Sequence, residues 1–169
     1  MKSKTYQNDL VHIYSAYKYF VSCIPQEELF VNGKAVIVGS THFEKPSQAS
    51  SMRVELGWAF FTRMEACLEA LLHSLNVKLN KKQGLLEYLQ AQGIELSEDQ
   101  KDGLGVYREI RNVLHHGDGD LSHLNKASVN LKIDSGYEPH LLEEQIGLFY
   151  ELFRDVGNLL LTNRANGSA

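Results

Sequence analysis

From Met52 to Leu75 the residues Leu56, Phe60, Met64, Leu68, Leu71, Leu72 and Leu75 keep helical spacing over roughly six turns, the longest such run in the chain. A helix of that length is stable in water only when its apolar stripe packs against partners, so the rest of the chain has to supply them. Two further stripes do so. Leu10, Ile13, Tyr14, Tyr17, Val21 and Ile24 line one face of a helix over Asp9 to Ile24, which Pro25 ends. Leu142, Ile146, Phe149, Phe153, Val156 and Leu160 line another, with Pro139 suited to its first turn. Between them, Leu85, Leu86 and Leu89 mark a short helix stopped by Gly93. Ser97 to Gln100 has the form of a capping box opening a fourth helix, in which Leu104, Tyr107, Ile110 and Leu114 face inward. The expected architecture is mainly α, a single domain over residues 1–169 built as an antiparallel bundle of four to five helices.

Smaller features decorate that bundle. Glu28 to Gly39 places two β-prone runs around Asn32-Gly33, a dipeptide that tolerates the positive φ of a two-residue turn, so a hairpin insertion is expected over residues 28–39. Ser40 to Ser51 has no periodicity and reads as an exposed loop. Ala127, Val129, Leu131 and Ile133 alternate with polar residues, as a short strand paired to that hairpin would. Residues 164–169 are expected to fray.

Composition narrows the class. With 169 residues, 43% of them apolar and only 3 prolines, the chain can bury a core, which excludes disorder and collagen-like repeats. Lys and Arg total 17 against 21 for Asp and Glu, and 17 − 21 = −4 argues against a broad phosphate-binding face while leaving room for a local anion site. Cys23 and Cys67 sit in helical patterns without metal spacing, which suits a reducing compartment. The N-terminal residues carry no secretory signal pattern, and no stretch approaches the ~18 apolar residues of a membrane span, so a cytoplasmic, membrane-free protein is expected. No phosphate loop, Gly-x-Ser-x-Gly elbow or dinucleotide fingerprint appears, and no cofactor is expected.

Chemistry concentrates at Tyr107 to Asp120. Arg111 is a permanent planar cation able to grip a phosphate by two hydrogen bonds, and a histidine exchanges protons near neutrality. Together they suit phosphodiester cleavage. At ~100° per residue, His115 lies ~400° past Arg111 and so nearly above it, whereas His116 lies ~500° past it, about 140° off that face. On a straight helix His115 is the nearer neighbour; if the helix ends at Leu114 or His115, as Gly117 permits, His116 swings back toward the arginine. Helical geometry leaves both open. Two other readings use the same residues. Cations in a last helical turn stabilise it by ~0.3–1 kcal/mol each. His115, His116, Asp118, Asp120 and His123 crowd ligand-type side chains together, but Asp118-Gly119-Asp120 has His123 and Val129 where a calcium loop needs Gly and Glu, so no metal is expected. His12, His42, His73 and His140 look ordinary, and Arg63 and Glu65 read as a solvated helix face.

The stretch Tyr107 to Gly117 resembles the HEPN superfamily of helical domains, whose signature is an arginine followed after four to six residues by a histidine, often with asparagine next to the arginine. Here Arg111 and His116 enclose the four residues Asn112-Val113-Leu114-His115. Many members are metal-independent endoribonucleases that act as homodimers with a composite site at the interface. The resemblance implies that Arg111 holds the scissile phosphate, His116 transfers protons and Asn112 orients the pair; His115 and Tyr107 stand beside them as alternative or supporting residues. The attacking group is then the RNA's own 2′-hydroxyl. A toxin or defence role, restrained by an antitoxin protein, follows from the same resemblance, as does a non-catalytic alternative that binds RNA, a nucleotide or a protein.

Overall fold

The computed structural model describes residues 3–31, 34–79, 84–116 and 141–167. Five helices account for most of them: α1 (Ser3–Ser22), α2 (Pro46–Ser74), α3 (Leu85–Ala91), α4 (Glu98–His116) and α5 (Glu143–Gly167). A two-stranded antiparallel hairpin, β1 (Val36–Val38) and β2 (Thr41–Phe43), precedes α2. The chain is thus a helical bundle with a small β hairpin.

Helix α2 sits at the centre because α1 and α5 both pack on it and on each other, while α4 joins α3 to α5. Its burial exceeds one stripe. Phe60, Phe61, Met64, Cys67, Leu68, Leu71 and Leu72 are all buried, and Phe61 meets Phe149 of α5 edge-on at 4.9 Å between ring centroids. Tyr107 of α4 packs edge-on against Phe153 at 5.2 Å, so the same aromatic cluster fastens α4. Such pairs contribute about 0.5–1.5 kcal/mol each beyond the area they bury. Tyr6 closes the α1 side, its hydroxyl donating to the Phe153 carbonyl at 2.7 Å. Gly157 makes that approach feasible, since a Cβ there would lie 2.1 Å from Tyr6 Cε1.

The hairpin differs from its expected position. Glu27–Leu29 forms a 3-10 turn, and the strands pair Val36 with Phe43, Ile37 with His42 and Val38 with Thr41. The turn therefore falls at Gly39-Ser40, where Gly39 supplies the positive φ of 60°. Burial of Phe43 fixes this register by anchoring β2 to the core, whereas Ile37 remains 69% exposed. The expected turn at Asn32-Gly33 and the strand over residues 127–133 lie outside the described residues.

Residues 46–51, expected in a loop, are the first turns of α2. Pro46 starts it, with its fixed φ and missing N–H, and Gln48 Oε1 accepts hydrogen bonds from the backbone N–H groups of Glu44 and Lys45 at 2.6 and 3.1 Å. Only Ala49 is buried in that stretch, so no stripe announced it. Gly93, at φ 69°, follows the end of α3 as expected, with Ile94 N–H donating to the Leu89 carbonyl at 3.1 Å. Helix α5 begins at Glu143, after Pro139, which lies outside the described residues, and continues to Gly167 past the expected fraying point at 164.

Alkaline pH is expected to weaken this core. Burial pushes the Tyr17 hydroxyl from the ordinary 10.0 up to about 12, with Glu143 adding to the effect, and burial likewise raises Tyr6 and Tyr107. A raised folded pKa means the fold favours the protonated form; its contribution is intact below the unfolded value and lost as pH climbs through the folded one. Urea midpoints should fall between about pH 10 and 12. The Tyr17 hydroxyl is buried and has no hydrogen-bond partner among the described residues, so Tyr17→Phe should leave neutral-pH stability intact and shrink the alkaline loss. An unchanged alkaline loss in that variant would remove Tyr17 as the cause.

Candidate functional site

Helix α4 carries the candidate residues, and its start is built locally. Ser97 N–H donates to Gln100 Oε1 at 3.0 Å while Gln100 N–H donates to Ser97 Oγ at 3.2 Å, the expected reciprocal cap. Glu98 and Asp99 in the first turn complement the positive end of the helix. The buried stripe Leu104, Tyr107 and Ile110 then sets the rotation of the helix on the bundle.

That rotation brings Tyr107 and Arg111, one turn apart, against Glu65 and Glu69, one turn apart on α2. Arg111 Nη2 donates to Glu69 Oε1 at 2.6 Å. Arg111 Nε lies 3.2 Å from Glu65 Oε1 as an ion pair without hydrogen-bond alignment. Tyr107 OH donates to the same Glu65 oxygen at 3.3 Å. The two carboxylates differ in setting: the Glu65 side chain is 5% exposed and that of Glu69 is 49% exposed, with Arg111 at 43%. Burial keeps the Tyr107 hydroxyl protonated, helped by the Glu65 charge, so it serves as a donor to that carboxylate. Asn112 is half-buried beside Arg111. Arg108 takes the other direction and donates to Glu87 Oε1 of α3 at 2.7 Å.

The backbone of α4 stays helical through His116. An ending at Leu114 or His115 is therefore not what the chain does, and position 116 follows Arg111 at the ~140° offset of an uninterrupted helix. The side chains of Leu114, His115 and His116 lie outside the described residues, and so does the metal reading built on His115, His116, Asp118, Asp120 and His123. Among the described residues no group of three His, Cys, Asp or Glu side chains is arranged to hold a metal ion, and no helix is long and apolar enough to cross a membrane.

Sequence reasoning missed the partner half of this site. Glu65 was expected on a solvated face and is instead buried among α2, Tyr107 and Arg111. A signal was available: a glutamate inside an apolar stripe, with a second carboxylate four residues on, marks a place where a cation must arrive from elsewhere. Arg63 does remain exposed, its guanidinium 5.8 Å from the centre of the Phe60 ring. His12, His42 and His73 are exposed, with His42 in β2; His140 lies outside the described residues. Cys67 is no nucleophile near neutrality, because burial pushes its thiol up to about 11. A groove of about 410 Å³ between the start of α4 and α5 is lined by Asp99, Glu151 and Asp155, whose charges repel phosphate.

No family model matches this sequence, and no curated protein or solved structure shows significant similarity to it.

Proposed function

We propose that the chain is a HEPN-type endoribonuclease that needs no metal, with Arg111, Asn112 and His116 as its working residues. One observation carries the reading: the Arg111 guanidinium is held between the buried Glu65 carboxylate and the half-exposed Glu69 carboxylate and is itself 43% exposed, with Asn112 next to it on the same helix. A preoriented cation is worth far more to a developing phosphorane charge than a freely moving one, because no reorganisation is needed as the charge forms. In the reaction, the ribose 2′-oxygen attacks phosphorus and loses its proton to a base, the bond to the 5′-oxygen breaks, and that oxygen takes up a proton. The products are a 2′,3′-cyclic phosphate and a free 5′-hydroxyl. His116 serves the proton transfers, Asn112 orients the pair, and a second copy of the chain completes the site. A cytoplasmic toxin or defence role, held in check by an antitoxin protein, belongs to the same proposal.

A second reading draws on the carboxylates. Glu65 and Glu69 together outweigh the single charge of Arg111, which suits an interhelical tie in a non-catalytic module that binds RNA, a nucleotide or a protein.

Incubation of the purified protein with RNA in EDTA separates the two. The nuclease reading expects cleavage to cyclic phosphate ends, lost in Arg111→Ala and in His116→Ala and kept in His115→Ala. RNA bound by the wild type but never cut selects the module. Sedimentation should show a dimer, and a wild-type monomer that still cuts RNA would end the composite-site idea.

A further inference from the structure

Arg111 is met by two carboxylates that are not equivalent. Glu65 is 5% exposed, receives the Tyr107 hydroxyl and contacts Nε; it cannot leave without abandoning a buried charge. Glu69 is 49% exposed and holds a single Nη2 edge at 2.6 Å, so its side chain can rotate into water at little cost. Arg111, Glu65 and Glu69 by themselves sum to one net negative charge, and the Glu69 carboxylate on the Nη2 edge opposes the approach of a phosphodiester. That opposition falls when the oxyanion takes the place of Glu69 and the carboxylate swings into water, because one anion is exchanged for another on the same guanidinium edge. Carboxylate and phosphate oxygens both accept charge-assisted hydrogen bonds from guanidinium N–H groups, so the Nη2 donor finds an acceptor in either state.

We infer that Glu69 is a displaceable stand-in for the substrate phosphate: it occupies the Arg111 edge in the free protein and yields it to the phosphate, while Glu65 stays behind as the positioning residue. Glu69 then acts as a selectivity filter. A free phosphate competes with it weakly, and a phosphate that other contacts also hold, such as one within an RNA strand, displaces it more readily. The inference rests on the proposed role of Arg111, and it is tested without measuring cleavage.

The probe is inorganic phosphate, titrated into nitrogen-15-labelled full-length protein while the Arg111 Nε–Hε resonance is followed, that resonance being assigned by its absence in Arg111→Lys. Removal of the Glu69 charge should tighten phosphate about three- to tenfold in both Glu69→Gln and Glu69→Ala, given one fewer anion within a few ångström of the site. Glu65→Gln should weaken it, because the guanidinium loses its buried anchor. A merely structural tie between α2 and α4 would instead lower the melting temperature of both Glu69 variants and leave phosphate affinity unchanged or reduced. Equal affinity in wild type and both Glu69 variants overturns the inference, as does an Arg111 resonance that phosphate moves in none of them. The two proposals fail separately: RNA cleavage with no tightening in the Glu69 variants keeps the nuclease and removes the exchange, whereas tightening without RNA cleavage keeps the exchange and removes the nuclease.

Discussion

Gly57→Ala should destabilise the protein by about 2 kcal/mol or more, in spite of being a change that ordinarily favours a helix. A Cβ at this position in α2 would lie 1.6 Å from the carbonyl oxygen of Leu141 and 2.8 Å from its carbonyl carbon. The obstacle is backbone, so no side-chain rotation relieves it and the chain entering α5 must move off α2. Overpacking of a filled interior costs about 1–3 kcal/mol and occasionally more, and a contact this close belongs at the upper end. The intrinsic gain of Ala over Gly in a helix, about 1 kcal/mol, offsets part of that. At roughly 2–4 °C per kcal/mol for a chain of this size, the melting temperature should drop by about 4–8 °C. Gly105→Ala is the internal control: nothing lies within 4 Å of its added Cβ in α4, so the same substitution should raise stability there by up to about 1 kcal/mol. Equal melting temperatures for Gly57→Ala and wild type would mean that Leu141 does not pass this close to α2.

The larger kinetic effect is expected at Arg111. Loss of one preorganised donor to a developing oxyanion typically costs a factor of about 10² to 10³ in rate, and Arg111→Ala should fall in that range for cleavage in EDTA. Arg111→Lys is the sharper experiment. An ammonium keeps the charge but has no planar fork, so it cannot lie against Glu65 and still present a pair of parallel N–H groups to phosphate. Less than about a tenth of the wild-type rate should survive in Arg111→Lys. Arg111→Ala also takes the guanidinium counter-charge away from the buried Glu65 carboxylate, a cost of about 1–3 kcal/mol or more, so its melting temperature has to be measured beside its rate. Adding Glu65→Gln to it should restore the stability without restoring cleavage. A lysine variant that works at the wild-type rate would show that bare charge suffices and that the fork geometry of the guanidinium is irrelevant to the reaction.

What was legible in the chain depended on the kind of signal. The stripes of α1, α2, α4 and α5 are short-range periodicities, and tertiary packing used them as they stood: Leu10, Tyr17, Met64, Leu68, Ile110, Ile146 and Phe153 are all buried. Cap chemistry was equally local, which is why Ser97 with Gln100 and the glycine after α3 were found where expected. The hairpin β1–β2 turns at Gly39-Ser40 and is anchored by the burial of Phe43 in the core, a tertiary contact that leaves no local periodicity to read. Residues 46–51 escaped notice for the converse reason. An exposed helical start leaves no apolar record, and only Pro46 marked it.

The sequence by itself determined that this is a helical bundle and that Arg111, Asn112 and His116 fall within one helical stretch, since the period of an apolar stripe marks which segment is helical. Only the tertiary structure decided what faces Arg111. Glu65 and Glu69 lie more than forty positions earlier in the chain, and nothing in local periodicity couples a glutamate of α2 to an arginine of α4. That coupling comes from the way Phe61, Tyr107 and Phe153 pack, which fixes the rotation of α4 against α2 and so selects the side chains that share a charge.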